Sequence, residues 1–229
     1  MKAFIPISIS TELFSSPRMI KGLELIPNAY TSYCYVIGDR LQMYNDASDL
    51  RKDEHDFFRR WSSQPNDLLT QRRKWIEKLH VRLDKNASAD IRGLDDIIDA
   101  DHCALMRNIY VLYNLNSDFR RDLDSTVEEA VLRRHFHRSL ERAKALSLMY
   151  VIEEVALNMQ VRRKYGLHDE YYLGPQLSLL LDLFKGKHRW FLDEIGYTRN
   201  YDINKARFFS WKDDTAGGAW RETRDWPPL

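Results

Sequence analysis

Residues Ala3–Asp39, AFIPISISTELFSSPRMIKGLELIPNAYTSYCYVIGD, decide the fold class. Ala3–Ser10 alternates, with Phe4, Ser8 and Ser10 on one face and Ile5, Ile7 and Ile9 on the other, the period of a strand. Met19, Ile20, Leu23 and Ile26 then recur at helical spacing behind Pro17, a residue suited to a first helical turn, with Ser15 or Ser16 available as its cap. Tyr33–Ile37 is continuously apolar and stops at Gly38-Asp39, as a buried parallel strand does. Strand, helix and buried strand in succession open a Rossmann-like α/β sheet. Such sheets bind ligands at the carboxyl ends of their strands, here Ser8–Thr11 and Gly38–Arg40.

Downstream, residues 40–65 are polar and irregular, with a charge-mixed, partly helical Arg51–Arg60. From Asn66 to Leu83 a helix is predicted, because Leu68, Leu69, Trp75, Ile76, Leu79 and Leu83 share a face. Ser88–Gly93 fits a short third strand, Leu94–Leu115 is mostly helical, and Thr126–Gln160 is one long helix or a broken pair. Glu170–Leu173 reads as a strand, and Pro175–Phe184 starts a helix that Gly186 ends. The expectation is a single α/β domain over residues 1–212, a parallel sheet flanked by helices, followed by an irregular tail over 213–229.

Three features can carry chemistry. The first is ALSLMYVIEEVAL, Ala145–Leu157. Tyr150 and Glu154 stand one helical turn apart, and Leu148, Met149, Ile152 and Val155 make the opposite side apolar too, so this half of the helix should be buried all round. A carboxylate there is a candidate acid or base pushed toward neutrality by desolvation; the alternative is a Glu satisfied by an arginine of the fold. The second is Ser8, a hydroxyl at a strand's carboxyl end, which is a nucleophile if activated and otherwise a cap for the following turn. The third is Gln71–Arg82, where Arg72, Arg73, Lys74, Lys78 and Arg82 face one acid, Glu77. Lys74, Lys78 and Arg82 form a stripe suited to a phosphate backbone, or an ordinary solvated face. Arg133–Arg138 and Arg162-Arg163-Lys164 are further basic blocks.

Composition narrows the field. Thirty-five Lys and Arg against 34 Asp and Glu give a net charge of +1, which argues neither for nor against an RNA partner once charges are seen to be local. With 44% hydrophobic and 30% charged residues the chain is globular. No apolar run reaches membrane-spanning length, and MKAFIPISIS is too short and hydroxylated for a leader, so a soluble cytoplasmic protein is expected. Cys34 and Cys103 lack metal spacing and read as buried free thiols. His135 and His137 make a poor metal pair, and no phosphate-binding glycine loop occurs, which argues against ATP- or NAD-driven chemistry.

These features occur in the order found in the cyclodipeptide synthases, which the sequence resembles over residues 3–185. PISISTELFS (Pro6–Ser15) resembles the family's first strand with its nucleophilic serine at Ser8 and the later aromatic-Ser pair at Phe14-Ser15. YCYVIGDRLQMYN resembles the second strand with its acidic turn, and Tyr150-x-x-x-Glu154 matches the family's pair on a central helix. DEYYLGPQL offers Tyr171 or Tyr172 for a further tyrosine. Pro6 stands where the family often has Gly, and Ile9-Ser10-Thr11 replaces a glycine-containing loop. Those departures resemble a divergent branch, of which the arginine-using fungal cyclodipeptide synthases are one.

The resemblance implies a fold like the class I aminoacyl-tRNA synthetase catalytic domain, two aminoacyl-tRNAs as partners, no cofactor or metal, and no membrane or DNA partner. It implies catalysis by Ser8, Tyr150, Glu154 and Tyr171 or Tyr172, and substrate contacts from Phe4, Pro6, Ser10, Thr11, Asp39 and Glu153. Asp39 and Glu153 can supply carboxylate to a cationic amino acid, and Arg72, Arg73, Lys74, Lys78 and Arg82 can bind tRNA phosphates. A non-catalytic RNA-binding protein on a degenerate synthetase-like fold is the alternative.

Overall fold

The computed structural model describes residues 1–8, 17–38, 41, 44, 65–83, 85, 87–132, 140–174, 176–212 and 218–223. In chain order the elements are β1 (Lys2–Ser8), α1 (Pro17–Glu24), β2 (Ser32–Gly38), α2 (Pro65–Arg82), β3 (Ser88–Gly93), α3 (Ala100–Leu115), α4 (Ser117–Leu132) and α5 (Leu140–Tyr165). β4 (Asp169–Tyr172), α6 (Ser178–Lys185), α7 (Arg189–Glu194), α8 (Tyr197–Asn200), β5 (Arg207–Lys212) and β6 (Ala219–Glu222) follow.

The apolar β1 and β2 pair in parallel from Lys2↔Ser32 to Ser8↔Gly38, as the opening stretch predicts. The sheet order is β3-β2-β1-β4-β5-β6, parallel except for the last pair. The chain fills the β1-to-β3 side first and then turns to the other side, so the strand order reverses between β1 and β4. In open α/β sheets that reversal leaves a crevice at the strands' carboxyl ends.

Alternation along β1 and β2 sends Ala3, Ile5, Ile7, Tyr33, Tyr35 and Ile37 into one layer with α1 and α2, through Met19, Leu23, Ile76 and Leu79. It sends Phe4, Cys34 and Val36 into the other, against Leu157 and Val161 of α5. A third cluster joins α3, α4, α5 and α6 through Leu105, Ile109, Phe119, Leu123, Val151, Val155 and Leu183. α5 thus has apolar layers on two sides, and every residue from Val151 to Arg162 is buried except Glu154. Burial all round starts only at Val151, since Met149 is 37% exposed.

Several expectations need correction. Of the long segment, α4 is described to Leu132 and α5 from Leu140, with 133–139 outside the described residues; α5 runs past Gln160 to Tyr165, where Arg162, Arg163 and Lys164 all find partners. Within the tail expected to be irregular, β6 pairs antiparallel with β5, Trp211 opposite Trp220. Cys34 is buried, and burial pushes its thiol up to about 12. Cys103 is exposed, because α3 turns His102, Leu105, Ile109 and Leu112 inward and leaves Cys103 on the outer side. Gly186 does end α6, at φ +91°. Ser15, Ser16, Arg51–Arg60 and the Arg133–Arg138 block lie outside the described residues.

Candidate active site

Ser8 is the last residue of β1 and pairs with Gly38, the last residue of β2. β1 also pairs with β4 through Ala3↔Asp169 and Phe4↔Glu170, which brings the carboxyl ends of β1 and β4 side by side at the reversal of the sheet.

One face of α5 is written in steps of four: Tyr150, Glu154, Asn158, Arg162. Its carboxyl end is fixed to the sheet. Arg162 Nη2 donates to Glu170 Oε2 at 2.7 Å, Asn158 Nδ2 donates to the same oxygen at 2.7 Å, and the guanidinium lies 5.6 Å from the Phe4 ring centroid. α5 runs against the strands. Four helix residues rise about 6 Å, and two strand residues advance about 6.6 Å. From the Phe4–Glu170–Arg162 level, each α5 turn therefore matches two strand residues. Pro6 and Tyr172 come level with Asn158, and Ser8, the end of β1, comes level with Glu154. Tyr150 is half-buried and packs against the clusters on both sides of α5.

Strand alternation separates the two tyrosines of β4. Tyr171 lies on the face away from α5 and is buried, stacked on Phe209 at 4.6 Å between ring centroids. Tyr30 donates its hydroxyl to Asp169 Oδ2 at 2.6 Å, so Tyr171 donates to the Tyr30 oxygen at 2.7 Å. Arg207 holds Asp169 from the other side at 2.8 Å. Burial and the Asp169 bond push the Tyr30 hydroxyl far above its usual range, and burial raises Tyr171. Tyr172 takes the parity of Glu170. It is half-buried, touches the rim of the α1-side cluster, and its ring lies where a Gly174 Cβ would stand, 2.7 Å from its nearest ring carbon.

Glu153 points to the α3 side of α5 and is buried. Among the described residues its hydrogen-bond partner is Tyr44, whose hydroxyl donates to Oε2 at 2.6 Å. Burial, then that bond, push the Tyr44 hydroxyl well above its usual range. His102 is 1% exposed nearby, and among the described residues neither ring nitrogen has a hydrogen-bond partner. Its pKa is lowered by burial, which outweighs the opposing charges of Glu153 and Asp99. Among the described residues no group of three or more His, Cys, Asp and Glu side chains is arranged around a metal position.

The basic helix divides. Lys74, Lys78 and Arg82 are exposed. Arg73 is committed to Asp96 at 2.6 Å, and Arg72 lies 5.6 Å from the centroid of Trp75. Arg162 is fully buried, Arg163 pairs with Asp101 at 3.3 Å and Lys164 with Asp99 at 2.9 Å, so this basic block serves the fold.

Sequence reading missed the polar ties beneath the site: Arg162–Glu170, Tyr44–Glu153, Tyr30–Tyr171 and His80. His80 Nε2 donates to the Ala87 carbonyl at 2.7 Å and Nδ1 accepts from Tyr35 at 3.0 Å, fastening the end of α2 to the sheet. The four-residue spacing from Tyr150 to Arg162 was the available signal for the first of these. Ser10, Thr11 and Asp39 lie outside the described residues.

The fold has known counterparts. A cyclodipeptide synthase from Fluoribacter dumoffii superimposes with a TM-score of 0.67 at 16% identity, covering 91% of this chain and 89% of that one. One from Candidatus Glomeribacter gigasporarum, bound to Phe-tRNAPhe, gives 0.63 at 13% identity over 100% of this chain and 94% of that one. A Mycobacterium tuberculosis protein, whose structure relates cyclodipeptide synthetases to type I tRNA synthetases, gives 0.59 at 15% identity over 79% and 75%. No family model and no curated protein matches the sequence.

Proposed function

We propose that this chain is a tRNA-dependent cyclodipeptide synthase, joining the amino acids of two aminoacyl-tRNAs into a 2,5-diketopiperazine. The observation that carries this reading is the reversal of the sheet between β1 and β4, covered by α5, in which Glu154 is the one half-buried position between Val151 and Arg162. Two fold counterparts are named as synthases of this class over nearly all of both chains, and one of these was solved with an aminoacyl-tRNA.

In this reading Ser8 attacks the ester carbonyl of the first aminoacyl-tRNA. A serine ester forms, the bond to the tRNA 3′ oxygen breaks, and that oxygen takes up the proton. Tyr150 and Glu154 hold the α-amino group. Attack of that amine on the second ester makes the peptide bond and releases the second tRNA. The free amine then displaces Ser8 and closes the ring. Tyr172 relays a proton in closure, since it stands half-buried at the carboxyl end of β4, while Tyr171 is held in the hydrogen-bonded Tyr30–Asp169 layer. Each bond formed draws on an ester already made, so no ATP is consumed.

Lys74, Lys78 and Arg82 take tRNA phosphates, with Arg72 beside them and Arg73 available only on leaving Asp96. Phe4, Pro6, Ser10 and Thr11 border the aminoacyl group. One pocket takes a cationic amino acid, arginine in the first instance; the support is Glu153, a buried carboxylate next to Glu154, with Asp39 the second carboxylate of this reading. Charged arginine that yields no product would end that part.

The test is incubation with a complete set of aminoacyl-tRNAs and detection of diketopiperazines by mass spectrometry. Ser8→Ala is expected to abolish product while leaving the unfolding transition in place. Unchanged yield in Ser8→Ala refutes the mechanism, and tRNA binding without any product supports the non-catalytic alternative.

A further inference from the structure

The Glu170 carboxylate is 1% exposed and its three partners come from two segments. Asn158 Nδ2 and Arg162 Nη2 reach Oε2 from α5, each at 2.7 Å, and Gln176 Nε2 donates to Oε1 at 3.0 Å from beyond the strand. Arg162 has no solvent exposure. Its Nε donates to Asn158 Oδ1 at 2.7 Å and its Nη1 to the His168 carbonyl at 2.9 Å. The rings of Phe208 and Phe184 lie 4.2 and 5.0 Å from the guanidinium carbon. Tyr172 falls between Glu170 and Gln176, so the residues on either side of it are tied together, and Glu170 ties them to α5.

A fully buried ion pair is a poor device for stability alone. Withdrawing both charges from water consumes most of their attraction, and apolar pairs of equal volume usually serve as well or better. Directional bonds do something that apolar packing does not: they allow one register of strand against helix. A slip of one residue on β4 would exchange the faces of Tyr171 and Tyr172.

We infer that Arg162 and Glu170, with Asn158 and Gln176, are positioning residues that lock β4 in register on α5 and so fix the places that Tyr171 and Tyr172 take. The functional half of this inference rests on the proposed synthase reading; the structural half does not. The lock acts late in the reaction, on closure through Tyr172, and leaves acyl transfer to Ser8 alone.

The test variant is Arg162→Met/Glu170→Gln, a neutral pair of similar volume in which the new amide can still accept from Asn158 and donate to Gln176 once the Gln176 amide turns over. In the full chain, amide hydrogen exchange at Tyr171–Leu173 is expected to quicken at least tenfold while β1 and β2 stay within twofold of wild type. Exchange in β4 within twofold of wild type overturns the lock, and this readout needs no turnover. With tRNAs charged with radiolabelled amino acids, label on the protein is expected to stay within twofold while diketopiperazine falls at least tenfold. Label and product that both stay at wild-type level, or fall in the same proportion, overturn the positioning role. Wild-type protein that gives neither label nor product refutes the synthase reading, and the exchange result still decides the lock. Should the double variant fail to fold, Gln176→Ala, at a half-buried position, decides: a threefold or greater loss of product with label unchanged supports the lock, and unchanged product overturns it.

Discussion

Tyr171 and Tyr172 differ by one position and by what holds them, Tyr171 buried and Tyr172 half-buried at the strand end. The first donates into a buried chain of hydroxyls ending on Asp169, and the second has the parity of Glu170 at the open end of its strand. Tyr171→Phe is expected to lower stability by about 1 kcal/mol, the contribution of one buried hydrogen bond, with product formation by the folded enzyme nearly unchanged. Tyr172→Phe is expected to leave the unfolding midpoint in place and reduce diketopiperazine at least tenfold; denaturant titration beside mass spectrometry separates the two. The Tyr150–Glu154 pairing was readable because helical periodicity is a property of the local chain. The choice between adjacent tyrosines was not, because the face of a strand residue depends on register, and register here is set by β1 and β5, more than thirty residues away on either side.

Elements repeat that contrast. α2 was legible from its apolar face, and its outer side keeps Lys74, Lys78 and Arg82 in water while Asp96 occupies Arg73. Changing the three exposed cations together to Ala is expected to weaken tRNA use and to reduce the slope of log affinity against log salt by about 2 to 3, near one unit per lost phosphate contact. Filter binding over a salt series checks it; an unchanged slope would move the RNA surface elsewhere. β5 and β6 escaped sequence reading. RFFSWK has no clean alternation and AWRE follows a Gly-Gly pair, so neither carries a local strand signature. Their pairing comes from the neighbouring β4 edge and from Trp211 meeting Trp220, both invisible in a short window. Cys103 likewise looked apolar by neighbourhood, yet the helix phase puts it outside.

At the scale of the whole molecule, a net charge of +1 describes little, because cations and acids are segregated between the outer side of α2 and the segment from Asp90 to Asp101. Global stability carries a pH signature from His102. Its folded pKa lies below the ordinary imidazole value through burial, so at mildly acid pH the unfolded chain binds a proton that the folded chain resists. The favourable contribution is complete above about pH 6.5, the unperturbed value, and is lost as pH falls below it. His102→Leu is expected to flatten the fall in melting temperature between pH 7.5 and 5, and to raise stability at pH 7 by about 1 kcal/mol as the unbonded imidazole is removed. Thermal unfolding across that range measures both, and an equally steep fall in the variant would assign the pH dependence to other groups.

The central place of β1 also sets a timetable. Its β2 partner lies 30 residues along the chain at Lys2↔Ser32, whereas its β4 partner lies 166 residues along at Ala3↔Asp169. A chain emerging from the ribosome can form β1, β2, β3 and α2 early, but the second edge of β1 stays unpaired until the last quarter of the chain appears. The nascent protein therefore acquires its basic helix well before it acquires the crevice between β1 and β4. The joint where the two halves of the sheet meet can close only after the whole β1-to-β3 side and α3 to α5 have been synthesised.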